Sequence, residues 1–151
     1  MSNTIRHFGI VVNDLDAALA FWVGLLGWQI RSDVVEPSPF IDQLIAVPNP
    51  QLRTVKISDE GKVMIELLHF FNREQDQKEK WTGTLSSLGP THVAVTVTNL
   101  DLVLEAAEAL GFRKISEPLS PPSGAVKVVF VRSPEGLMVE LVQETPSLGS
   151  K

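Results

Sequence analysis

Hydrophobic and polar positions along this chain fall into one pattern, and the pattern occurs twice. His7-Phe8-Gly9-Ile10-Val11-Val12-Asn13-Asp14-Leu15 aligns with His92-Val93-Ala94-Val95-Thr96-Val97-Thr98-Asn99-Leu100. Each segment leads into apolar residues at helical spacing: Leu15, Ala18, Leu19, Trp22, Leu25 and Leu26, then Leu100, Val103, Leu104, Ala107 and Leu110. Each helix is predicted to start on an N-cap, Asp14 or Asn99, whose side-chain oxygen can accept the first free backbone amides. Each is predicted to stop at a glycine, Gly27 or Gly111, followed by an aromatic residue, Trp28 or Phe112. Val, Ile and Thr enrichment predicts strands at about 4–12, 28–35, 52–58 and 63–70, and again at 91–98, 112–116, 125–132 and 137–143. Glu60-Gly61 and Glu135-Gly136 mark the turns before the two last strands.

The expected fold is therefore α+β, built from two tandem βαβββ modules forming a curved mixed sheet around a shared site. Module 1 spans 4–70, a linker 71–90, module 2 91–143 and a tail 144–151, all within one domain of 1–151. A repeat of this size indicates supersecondary units that cannot bury their apolar faces alone. Residues 36–50, with Pro37, Pro39, Pro48 and Pro50 around Phe40–Ile45, fall outside the repeat, as does the loop from Pro118 to Gly124. The linker is polar, then Ser/Gly-rich, with room for a short helix. Such departures are where binding specificity tends to reside.

Four polar residues recur with the repeat. His7 and His92 each open a strand, on the face that carries Gly9 or Ala94, where space is left for a ligand. Glu66 lies in Met64-Ile65-Glu66-Leu67 and Glu140 in Met138-Val139-Glu140-Leu141, strands apolar on both faces. An unpaired buried carboxylate costs several kcal/mol, so such groups are paired, protonated or bound to a cation. No Lys or Arg recurs at matching positions to serve both glutamates. Two His and two Glu at equivalent places make a set suited to a divalent metal with open positions. His69 points to the opposite face from Glu66 and is read as structural or exposed; Trp22 and Trp28 are read as core.

Composition narrows the chemistry further. Of 151 residues, 44% are apolar and none is cysteine, which excludes disulfides, thiolate metal sites, Fe–S clusters and a cysteine nucleophile. That leaves histidine and carboxylate as the strong ligands. A net charge of −5 without a basic stripe argues against nucleic-acid binding. No apolar run reaches the roughly 18 residues of a membrane span. The first residues lack the apolar core of a signal peptide, so the expected location is cytoplasmic, with no membrane partner.

The motifs resemble the vicinal oxygen chelate superfamily, which includes glyoxalase I, methylmalonyl-CoA epimerase, extradiol dioxygenases and the fosfomycin- and bleomycin-resistance proteins. The likeness covers about 4–143. It implies metal ligation by His7, Glu66, His92 and Glu140, with Ni, Co, Zn or Mn as the ion. It also implies Glu140 as the base, with Glu66 a ligand and second base, and a lyase or isomerase moving a proton beside a carbonyl through a metal-stabilised enediolate or enolate. The partner would be a small carbonyl or thioester substrate, and a homodimer is allowed. Where the epimerase usually has Gln this chain has Glu66, although its opening residues are closer to the epimerase. Val11 and Phe70 stand where glyoxalase I commonly has Arg and Asn, so the likeness does not extend to that glutathione-holding pair. The alternatives are an iron-dependent extradiol-type dioxygenase using His7, His92 and Glu140, or a resistance or binding protein of the same fold.

Overall fold

Alternation along Leu52–Ser58 and Met64–Phe70 sends one set of side chains inward from each strand, and the two strands pair antiparallel in unbroken register. In the computed structural model, which describes residues 4–61, 63–72 and 80–145, these are β3 and β4. With β1 (Phe8–Val11) and β2 (Gln29–Val35) they form a four-stranded sheet in the order β1-β4-β3-β2, where β1 runs parallel to β4. The second sheet repeats this order with β5 (Val93–Thr96), β8 (Met138–Glu144), β7 (Val126–Arg132) and β6 (Arg113–Lys114). Two mixed sheets built from two βαβββ modules are thus observed. The chain divides into two compact units, 1–78 and 79–151.

The core of each unit lies on one sheet face. Val55, Ile57, Ile65 and Leu67 face one another across β3 and β4, and each is at most 1% exposed. Burying each such side chain contributes roughly 1.5–3 kcal/mol. Val129, Val131, Val139 and Leu141 play the same part in the second unit.

The helices begin where the caps predict. Asp14 Oδ1 accepts from the Ala17 amide at 2.9 Å and Asn99 Oδ1 from the Leu102 amide at 3.1 Å. In the second unit Gln143 Oε1 adds a 2.7 Å bond from the Leu100 amide, tying β8 to the start of α3 (Leu100–Ala109). Gly27 and Gly111 take φ of +73° and +87°, the left-handed geometry expected after each helix.

Several expectations need correction. The helix predicted from Leu15 is α-helical only over α1 (Leu15–Leu19) and continues as a π-helical turn, Ala20–Leu25. The wider turn brings neighbouring positions closer in angle, and the adjacent Phe21 and Trp22 are both buried, with Trp22 also packing on Trp28. The first strands are shorter than predicted, so His7 and His92 each sit one residue before the strand proper. β6 has two residues in place of five, because Ser116-Glu117-Pro118 interrupts its pairing with β7 until the Leu119–Val128 bridge. Residues 40–45 form α2 (Phe40–Ile45), which the sequence pattern did not indicate. Linker residues 80–90 form turns and extended chain, while 73–79 and the tail beyond 145 lie outside the described residues. Among the described residues no helix is long and apolar enough to cross a membrane.

One close approach locks the second unit. The Trp81 amide donates to the Glu135 carbonyl at 2.9 Å, and Arg132 donates to the Gly83 carbonyl at 3.2 Å. A Cβ at Gly136, where φ is +99°, would stand 2.0 Å from the Trp81 carbonyl oxygen. Gly136→Ala is expected to destabilise the protein by about 2 kcal/mol or more, read as a lowered denaturant midpoint.

Candidate metal centre

Each module positions its histidine and glutamate by the same device. In the first, β1 lies parallel against β4 with Gly9 beside Glu66, and His7 precedes it by two residues on the same face. His7 Nε2 stands 3.0 Å from Glu66 Oε2. In the second, Ala94 lies beside Glu140, and His92 Nε2 stands 3.3 Å from Glu140 Oε2. Glu66 is 14% exposed and Glu140 25%. The four residues singled out by the repeat are thus gathered as two pairs, each within its own unit. Among the described residues no group of three or more His, Asp or Glu side chains that could hold an ion is gathered.

Each pair fits half of a divalent-ion site. Ligand atoms about 2.1 Å from an ion and at right angles to each other are roughly 3 Å apart, which is the separation of nitrogen and oxygen in both pairs. The second ring nitrogens differ. His92 Nδ1 lies 2.8 Å from Thr91 Oγ1, a hydroxyl that can accept or donate and so suits either tautomer. His7 Nδ1 is buried without a partner.

The surroundings of the two carboxylates also differ. Across β3–β4, Lys56 is directly opposite Glu66, and its Nζ reaches Oε1 at 3.1 Å. At the same register position in the second hairpin Phe130 faces Glu140, and its ring packs edge-on against His92 with centroids 5.1 Å apart. Lys56 has no counterpart cation in the second module, where Phe130 stands, so the repeat does not reveal it. A bulge between Ile30 and Ser32 turns Arg31 onto this same face, where its Nε donates to the buried Ser58 Oγ at 2.6 Å. Thr54, buried on the same face, donates to Glu36.

The remaining candidates are structural or lie elsewhere. His69 is half-buried on the face opposite Glu66, with Nδ1 3.2 Å from the Val12 carbonyl oxygen and its ring against Phe71. The proline-bounded segment walls a separate cavity of about 250 Å³ lined by Glu36, Ile41, Asp42, Gln51 and Phe71.

Comparison with known proteins agrees with the two-module fold. The profile of the Glyoxalase/Bleomycin resistance protein/Dioxygenase superfamily matches residues 4–141. A probable lactoylglutathione lyase of Vibrio parahaemolyticus is 27% identical over 148 residues, covering 95% of this chain and 93% of that protein. The human mitochondrial methylmalonyl-CoA epimerase is 26% identical over 147 residues, covering 92% of this chain and 73% of that protein. Among solved structures, a glyoxalase family protein of Bacillus cereus superposes with a TM-score of 0.79 at 20% identity, covering 93% of both chains.

Replacing Thr91 by valine removes the partner of His92 Nδ1 while keeping the side-chain shape. Divalent-ion affinity is expected to fall about tenfold, measured by competition with a chromophoric chelator.

Proposed function

We propose, for a chain that belongs to the Glyoxalase/Bleomycin resistance protein/Dioxygenase superfamily, that it is a divalent-metal-dependent lyase or isomerase acting on a small carbonyl compound or thioester. The observation that carries this reading is the repeated pairing of a histidine Nε2 with a glutamate oxygen, at 3.0 and 3.3 Å, at equivalent places in two modules. Lyases and epimerases occur in the superfamily, and divalent metals are common in it. His7, Glu66, His92 and Glu140 would hold one ion of Ni, Co, Zn or Mn, with the two pairs supplied by one chain or by two chains of a homodimer.

When bound, the ion supplies Lewis acidity that draws electron density from the substrate carbonyl. The protein's own residues do the proton work. Glu140, with an aromatic ring across the strand pair, takes the proton from the carbon next to the carbonyl and returns it to a neighbouring position or the opposite face. Glu66, its Oε1 held by Lys56, stays in place as a ligand. The apolar Met138 and Val142, which flank Glu140 along its face of β8, limit water around the transferred proton.

A second reading draws on His7, His92 and Glu140 alone, two histidines and one carboxylate, the ligand types of a non-haem iron oxygenase. Metal content separates the readings, since the lead expects Ni, Co, Zn or Mn and the second oxygen-sensitive Fe(II).

Metal-loaded protein screened against a panel of carbonyl substrates in D2O is expected to place deuterium on the carbon next to the carbonyl. Glu140→Gln should lower that incorporation at least about 100-fold with the fold intact by circular dichroism. Undiminished exchange in Glu140→Gln would remove Glu140 from the base role, and no exchange with any substrate would favour the oxygenase reading.

A further inference from the structure

The two hairpins share one register position that looks straight across at the glutamate. Lys56 fills it in the first and Phe130 in the second. Lys56 does not take the oxygen that His7 approaches: Nζ is 3.1 Å from Oε1, whereas His7 Nε2 is 3.0 Å from Oε2. A cation can therefore remain beside Glu66 while Oε2 and His7 serve another ligand. Glu66 is only 14% exposed and Lys56 30%, so water and salt screen this ammonium less than they would a surface lysine. The other charges on the face, Arg31 bonded to Ser58 and Glu36 bonded to Thr54, are opposite in sign and offset each other. Ser32, the β2 neighbour of Lys56 in the register, brings no charge.

We infer that Lys56 is a positioning residue that sets the charge of the metal centre, tuning it to bind ligands through an anionic oxygen: a carboxylate, a hydroxamate or an enolised carbonyl. The inference rests on the four-ligand reading proposed above. With neutral histidines, two glutamates balance the two charges of a divalent ion. Lys56 leaves one positive charge over. The same ammonium opposes the incoming metal and favours the incoming anion, so its removal must move the two affinities in opposite directions. A loss of packing would weaken both together.

The test uses the full-length protein with cobalt(II) as the ion and acetohydroxamate as the anion, both followed by the visible cobalt spectrum. Lys56→Met is expected to bind cobalt about tenfold more tightly and acetohydroxamate to the cobalt-loaded protein about tenfold more weakly. Lys56→Arg, which keeps the charge, is expected to stay near wild type in both. Should Lys56→Met weaken both, or change neither, the inference is overturned while the metal reading stands. Failure of the wild-type protein to bind cobalt would overturn the metal reading and this inference with it.

Discussion

The cost of placing a carboxylate in an apolar strand governs this structure. Glu66 and Glu140 each sit on a central strand of a sheet whose other face is core, where an unpartnered negative charge is expensive. Each glutamate is met by a histidine delivered by the first strand of its module, and the parallel pairing of that strand is what delivers it. Since β1 and β2 lie at opposite edges of the sheet, the helix between them and the long antiparallel hairpin are all needed to bring the last strand back beside the first, with its glutamate against the histidine. The site and the topology therefore have one cause.

The helices and the core were legible because their signals are local. Asp14 and Asn99 cap where side-chain chemistry says they should, and the alternation of Val55, Ile57, Ile65 and Leu67 gives both the strand and its buried face. The lengths of β1, β5 and β6 were less legible, because a strand ends where its neighbour stops pairing and not where its own propensity fades. The π-helical turn at Ala20–Leu25 has a similar origin: the burial of two adjacent aromatic residues outweighs ordinary helical geometry, a tertiary demand that periodicity does not reveal. The short helix at 40–45 was hidden by the prolines around it.

At the candidate metal centre, the repeat by itself singles out His7, Glu66, His92 and Glu140, whose equivalence is written in the chain. It was a poor guide to Lys56, because searching for what the two modules share passes over what distinguishes them. Thr91 was overlooked for the same reason: the first module has Arg6 at the matching place, and His7 Nδ1 has no hydroxyl beside it. Differences between the modules are cross-strand and next-neighbour facts, visible only once register is known.

The position facing the glutamate carries a wider implication for how duplicated modules diverge. One hairpin holds a lysine there and the other a phenylalanine, yet both keep seven paired residues and the same alignment of strand against strand. The slot points away from the core, so a single codon change at this place can alter the chemistry without asking the fold to adjust. Tandem duplication thus supplies two such slots, each facing a carboxylate in its own module, and drift in either one sets apart two otherwise equivalent histidine–glutamate pairs.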